Sequence, residues 1–364
     1  MKPLSAAVRF RLNGKIISCE RCGNGHINDT YRVITDTDNW YTLQKLNTQV
    51  FKDPISVMRN IVLVTQHLRK KAKISREVLT LIPTIDGKDY IWEGDECWRV
   101  FVYDKNSICL ETASSPEDFY ESAFAFGNFQ RMLSDFPVYE LADTIPNFHH
   151  TVRRYQTFED AVKADMMGRA ASVQPEIDEA LDQKGFASTL VRMTDSGELP
   201  LRVTHNDTKL NNVLFDIQTH KSFCVIDLDT VMPGLVVNDF GDSIRFGAVH
   251  SAEDEKDLSK VFLDTELFKV YAEGFLKACG SYLSEAEIEM LPVGAKMMTL
   301  ECGVRFLTDY LSGDTYFRIS YPEQNLDRAR TQLKLAADMD NKWDEMQRII
   351  RLVSQQSRND NFPQ

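Results

Sequence analysis

Residues 203–230 constrain this chain more than any other stretch. They read Val203-Thr-His-Asn-Asp-Thr-Lys-Leu-Asn-Asn-Val-Leu-Phe-Asp216, then, after a polar interval, Ser222-Phe-Cys-Val-Ile-Asp-Leu-Asp-Thr230. Both runs are β-rich, and they form a small island of strand in sequence that is helical on either side. Residues 217–221 separate them, so the pattern predicts a hairpin. With its loop centred between Thr219 and His220, Asn212 faces Asp227 across the pair. A slip of one residue would send the two side chains to opposite faces, so this inference hangs on the turn.

The residue types narrow the chemistry. Asn212 and Asp227 are oxygen donors of the kind that hold a hard cation, and Mg2+ suits an all-oxygen set better than zinc does. Asp229, two residues on and on the same predicted strand face, is a candidate for a second cation. Asp207 lies five residues before Asn212, in the loop leading into the hairpin. A carboxylate there can accept the proton of an attacking hydroxyl, and Lys209 is placed to meet a transferring phosphate. Taken alone, His205-Asn-Asp207 reads equally well as loop capping. The hydrophobic strand ending in Asp-x-Asp at the matching distance favours instead a base with metal ligands, as phosphoryl transfer requires. Asp239-Phe-Gly241 spells the D-F-G of protein kinases, but Asp227 has the better strand context. Asp239 reads as a helix N-cap with Asp242 as its N3 acid.

Around this island the chain divides in two. The first hundred residues alternate as strands: 16–22, then 31–34 and 41–46 joined by a polar turn, then 98–103. Asp53-Pro54 opens one helix, with Ile55, Met58, Ile61, Val62, Thr65 and Leu68 at helical spacing. After Asp104-Lys-Asn-Ser107 the pattern turns helical, beginning where Ser115-Pro116 caps a run to about Leu133. The predicted class is α+β: a β-rich lobe over residues 1–104 and a larger helical lobe over 105–364. In the first lobe, Gly23-Asn-Gly-His-Ile-Asn28 is a turn whose backbone amides can cover phosphates, although most Gly-x-Gly turns are only turns. On the strand at 41–46, Thr42 and Gln44 share one face, and Lys45 is the only candidate for a kinase lysine. Its neighbours in the alternation are apolar, and the helix after Pro54 carries no acid to pair with it. The lysine–glutamate pair of protein kinases is therefore not supported.

Bulk properties exclude other classes. Formal net charge is -12, from 42 basic and 54 acidic side chains, and no basic run supplies a nucleic-acid footprint. No stretch approaches the roughly 18 apolar residues of a membrane span, and the N-terminus lacks the apolar run of a signal peptide. The seven cysteines, an odd number, include one Cys19-Glu-Arg-Cys22 without a second ligand pair, which reads as reduced thiols rather than zinc. The chain is read as cytoplasmic, with small molecules rather than nucleic acid or membrane as partners, and as a monomer or small homo-oligomer.

His205-Asn-Asp-x4-Asn212 with Asp227-x-Asp229 resembles the aminoglycoside-phosphotransferase-like small-molecule kinases, which share a bilobal fold with protein kinases. Choline kinases share the His-Asn-Asp form, so this core does not name the acceptor. Four segments look more specifically like bacterial N-acetylhexosamine 1-kinases: Gly25-His-Ile-Asn28, His205 to Lys209, Ile226-Asp-Leu-Asp-Thr-Val-Met-Pro-Gly234, and Asp239-Phe-Gly-Asp-Ser-Ile-Arg245. That resemblance implies transfer of the ATP γ-phosphoryl to the anomeric hydroxyl of an N-acetylhexosamine. Asp207 would be the base, with Mg2+ on Asn212 and Asp227. It implies sugar contacts from His26, Asp207, and an Arg and a Tyr on later helices, here Arg305 and Tyr316. Nucleotide contacts would come from Gly23, Gly25, Asn28, Gln44, Lys45 and Lys209, with adenine against the backbone near Phe101 to Tyr103. A choline, homoserine or aminoglycoside kinase, and a non-catalytic kinase-like binding protein, remain as alternatives.

Overall fold

The computed structural model describes residues 1–22 and 27–360, and its chain separates into two units. The first takes in residues 1–110, 135–146 and 212–233; the second holds the rest. The first unit therefore includes two segments from far down the chain, the second of which is the predicted hairpin.

The first unit is built on a five-stranded antiparallel sheet. Its strands are β1 (Ile16–Arg21), β2 (Asp29–Thr35), β3 (Trp40–Leu46), β4 (Ile91–Glu93) and β5 (Glu96–Val102), in the order β1-β2-β3-β5-β4. Alternation assigns the two faces. Val33, Tyr41, Leu43, Trp98 and Val100 pack with Ala6, Ala7 and Phe10 into one core. The other face carries Thr30, Gln44 and Arg99, which the register sets side by side: Gln44 pairs with Thr30 on β2 and with Arg99 on β5.

Helix Pro54–Arg69 starts as predicted, with Asp53 accepting from the Ser56 backbone N–H. Met58, Ile61, Thr65 and Leu68 of its predicted face are buried, and the buried face is wider than predicted. Val57 and Val64 are buried and Ile55 is exposed, because Asn60 is drawn inward to bind backbone. Asn60 Nδ2 donates to the carbonyls of Ala142 and Val231, and the Ala142 N–H donates back to Asn60 Oδ1. This helix carries no acid, in agreement with the sequence.

Lys45 finds its acid elsewhere. It pairs at 2.6 Å with Glu96 on the core side of the sheet, near the Trp98 ring. Hydrogen bonds, that of Lys45 foremost, hold the Glu96 carboxyl at about 2, against an ordinary 4.5. A carboxyl depressed on folding stabilises the chain above its unfolded value and loses that contribution as pH falls through the folded one. In acid titrations followed by circular dichroism, the margin of the wild type over Glu96→Gln should shrink between about pH 5 and about pH 2. A margin that stays constant over that range would exclude this role.

The second unit is helical. Helix Pro116–Met132 is capped by Ser115 as predicted, and buries Phe126, Phe129 and Met132 while Phe124 stays partly exposed. Helix Val236–Gly247 crosses helix Leu291–Leu311 closely. A Cβ on Gly241 would meet the Gly294 carbonyl oxygen at 2.2 Å, and one on Gly294 would meet the Val237 carbonyl oxygen at 2.0 Å. The glycine of the literal D-F-G thus serves helix packing. Asp239 is not an N-cap: the helix begins at Val236 after Leu235, which places Asp239 inside its first turn. Among the described residues no helix is long and apolar enough to cross a membrane.

Candidate active site

The loop Thr204–Lys209 lies in the second unit, and its backbone is held at four successive amides. The N–H groups of His205 and Asn206 donate to the two oxygens of Asp239, each at 2.8 Å. The Asp207 N–H donates to His205 Nδ1 at 3.3 Å, and the Thr208 N–H to Asp242 at 3.0 Å. Gln130 completes the Asp239 carboxylate at 2.7 Å. Burial pushes the Asp239 carboxyl up, against the charge of His205 and these backbone bonds. The His205 ring is packed edge-on by Phe126 and Phe129. Asn206 adopts φ 63°, the left-handed bend that turns the loop before Asp207.

Asp207 pairs with Lys209 at 2.8 Å. The charge of Asp207, the largest influence, lifts the Lys209 ammonium above its ordinary range, with help from Asp242 and against burial. Asp242 is itself gripped by Arg245, whose guanidinium also reaches Glu253. Burial alone would raise the Asp242 carboxyl; Arg245, Lys209 and His149 keep it low. Asp239 and Asp242 are therefore the supports of the loop, a role that the N-cap reading missed.

A second cluster reaches this loop through His149. Its Nε2 lies 3.3 Å from the Asn206 carbonyl oxygen and its Nδ1 2.9 Å from Glu301. Glu301 lies one helical turn before Arg305, 3.9 Å from it. Burial alone would raise the Glu301 carboxyl, but His149, Arg305 and Arg154 hold it below its usual range. Arg305 donates to the Tyr316 hydroxyl at 3.4 Å, and its guanidinium sits over Phe148, Tyr316 and Phe317. Sequence reasoning named Arg305 and Tyr316 but missed His149 and Glu301. Tyr316 does not lie on a helix, where it was expected, but on a loop whose amides at 315–317 donate to Asp309, and the residue is 65% exposed.

The metal-ligand candidates belong to the first unit. The hairpin forms, from Val213–Asp216 and Ser222–Val225, but its register differs from the predicted one. Val213 pairs with Val225 and Leu214 with Cys224, while Phe215 pairs with Ser222. The turn closes with the Asp216 N–H on the Lys221 carbonyl, one residue before the predicted centre, which sets the pairing two residues off, and the extra residue Phe223 brings it back to one. Asn212 therefore faces Ile226, whose N–H donates to the Asn212 carbonyl at 2.9 Å. Asp227 follows, exposed and left-handed at φ 58°, ψ 56°, and the chain enters a 3-10 turn at Leu228–Thr230. Asp229 is thus not on a strand face with Asp227. It is buried, with one oxygen 2.5 Å from Arg99 Nη1 and the other accepting from Asn28 Nδ2 at 2.7 Å.

The remaining nucleotide candidates are structurally engaged. Asn28 spends its amide on Asp229 and its Oδ1 on the Asn47 N–H. Gln44 accepts from Arg99 twice. Phe101 is buried on β5, the Val102 N–H donates to Thr80, and the Tyr103 N–H to Trp40. Gly23, Gly25 and His26 lie outside the described residues. Among the described residues no three His, Cys, Asp or Glu side chains cluster as a metal site. The donor chemistry at the end of the hairpin, one amide oxygen and one exposed carboxylate, suits a hard cation that keeps water in its shell.

A sequence profile described as the phosphotransferase enzyme family matches residues 18–265, more than half of the chain. The chain belongs to that family. Among solved structures, this family member is similar to a microcompartment-associated aminopropanol kinase, with a TM-score of 0.65 and 18% identity over 94% of this chain and 97% of that one. An amicoumacin kinase solved with AMP-PNP and Ca2+ matches at TM-score 0.61 and 13% identity, over 91% and 92%. An aminoglycoside phosphotransferase from Alicyclobacillus acidocaldarius matches at 0.58 and 13%, over 99% and 97%. The fold class is accordingly α+β and protein-kinase-like, with a sheet-rich N-terminal region and a helical C-terminal region.

Proposed function

We propose that this phosphotransferase is a small-molecule kinase that moves the γ-phosphoryl group of ATP to the anomeric hydroxyl of N-acetylhexosamines, with Mg2+ as its divalent ion. The observation that carries the acceptor half is the chain of contacts from Arg305 and Tyr316 through Glu301 and His149 to the Asn206 carbonyl, one residue from Asp207. It supports a polar, hydroxyl-recognising surface joined to the base. A kinase of cationic acceptors would favour an acidic or aromatic cage. Here Arg305 already covers the rings of Phe148, Tyr316 and Phe317, and Arg154 adds a second positive charge.

The residue roles follow from the chemistry. The sugar hydroxyl oxygen bonds to the γ-phosphorus as the bridging oxygen leaves with ADP, and the hydroxyl proton passes to an Asp207 oxygen. The hemiacetal hydroxyl is more acidic than an ordinary alcohol, so a plain carboxylate suffices. Lys209 pairs with Asp207 and offers charge to the phosphoryl oxygens. Asn212 and Asp227 would hold the divalent ion, which neutralises phosphate charge when bound. His26 is assigned to the sugar with Arg305 and Tyr316. Within the first unit, residues 1–104 are assigned to the nucleotide.

A panel of N-acetylglucosamine, N-acetylgalactosamine, hexoses, choline, homoserine, aminopropanol and aminoglycosides decides the acceptor, with product position read by phosphorus NMR. A 1-phosphate of the acetylated sugars is expected. A 6-phosphate, or turnover confined to the amino alcohols or antibiotics, would refute the sugar assignment.

A further inference from the structure

The sheet of the first unit buries an ion pair to which the reaction as written assigns no part. Arg99 is 1% exposed, and its guanidinium is committed on two sides. Nε and Nη2 donate to Gln44 Oε1 at 3.0 and 2.8 Å, and Nη1 meets Asp229 at 2.5 Å. Gln44 is turned to receive it by its place opposite Arg99 in the β3–β5 register. On the far side of the carboxylate, Asn28 donates to the second oxygen. A buried pair of this kind is weak evidence of stabilisation, since apolar side chains of the same volume often do as well. What it supplies is direction, and its target is the turn beginning at Asp227.

That turn needs an anchor. Aspartate tolerates the left-handed region better than most residues, but a single such residue holds one conformation where its surroundings impose it. Asp227 is exposed, while residues 228–231 behind it are buried. Two fixed points are Asp229, gripped by Arg99 and Asn28, and the Val231 carbonyl, gripped by Asn60 at 2.9 Å. We propose that Arg99 is a positioning residue for the divalent-ion site: through Asp229 it sets the left-handed backbone at Asp227 and so aims the carboxylate that meets the ion. The proposal rests on the reading of Asp227 as a metal ligand. It gives Asp229 the work of an anchor rather than of a second ligand. It also puts the functional cation of the sheet on β5, on the face opposite Lys45.

The test is Mn2+ binding in the presence of AMP-PNP, followed by electron paramagnetic resonance of free Mn2+, beside thermal melting and steady-state kinetics. Arg99→Met strands a buried carboxylate and should melt early. Arg99→Met/Asp229→Asn removes both charges and should regain much of the melting temperature, yet bind Mn2+ at least tenfold more weakly, with kcat lowered more than the sugar KM is raised. Arg99→Lys keeps the charge without the two-sided grip and should weaken Mn2+ in the same direction. Wild-type Mn2+ affinity in Arg99→Lys or in the double variant overturns the proposal. Asp227→Asn separates the two layers. If it loses Mn2+ while the Arg99 variants keep it, only the positioning role falls. If it keeps Mn2+, the metal-ligand reading falls and takes the proposal with it.

Discussion

Asp207→Asn is expected to lose phosphoryl transfer by roughly 10³-fold while keeping its fold and its hold on nucleotide. The amide has the shape of the carboxylate but cannot take up the hydroxyl proton. The loop that presents it does not depend on that side chain. The amides of residues 205–208 are fixed by Asp239, His205 and Asp242. Among its contacts the substitution weakens the pair with Lys209, which is partly exposed and therefore of modest value to stability. Coupled measurement of ADP release with N-acetylglucosamine, beside calorimetric titration of AMP-PNP, separates the two effects. Turnover within tenfold of the wild type would remove Asp207 as the base. Loss of both turnover and nucleotide binding would mean that the loop, not the proton, had been disturbed.

Much of the fold was written plainly in the sequence, and the reasons are local. Strand alternation over 16–46, the caps at Asp53 and Ser115 and the apolar run of helix Pro116–Met132 each depend on near neighbours. The His205-Asn-Asp207 loop and the hairpin after it were legible for the same reason. Most of what failed depends on residues distant in the chain. The exception is the hairpin register, which moved because the turn closes with Asp216 on Lys221, one residue before the expected centre, an offset that the extra residue Phe223 only half recovers. The buried face of helix Pro54–Arg69 is set by Asn60 reaching Ala142 and Val231, 82 and 171 residues away. Arg99 stands in the sequence as a single charge within the apolar strand at 98–103. Only the pairing of β5 with β3 and the return of the chain at Asp229 give it partners. The signal available was a charge at an inward position of the run Cys97-Trp-Arg-Val-Phe-Val102. Such a charge demands a buried counter-charge somewhere else in the chain.

Asp239 tests how far the loop depends on its support. In Asp239→Ala, the N–H groups of His205 and Asn206 and the amide of Gln130 lose their acceptor in a buried setting. No water-exposed alternative is at hand, since His205 and Asp239 are almost wholly enclosed. The three bonds and the penalty for stranding their buried donors together amount to about 3–5 kcal/mol. For a unit of this size that is on the order of 10 °C in Tm. Asp239→Asn should fall between alanine and wild type. Its one oxygen keeps a single backbone bond, and Gln130 can rotate its amide to accept from the new NH2. Activity should drop with stability in both variants, because Asp207 follows directly on the two amides that lose their acceptor. Differential scanning calorimetry and turnover measured well below the melting range check the two parts separately. If Asp239→Ala melts within about a degree of the wild type, the carboxylate is not the clamp that its geometry describes, and the literal D-F-G would have to be reconsidered as part of the metal site.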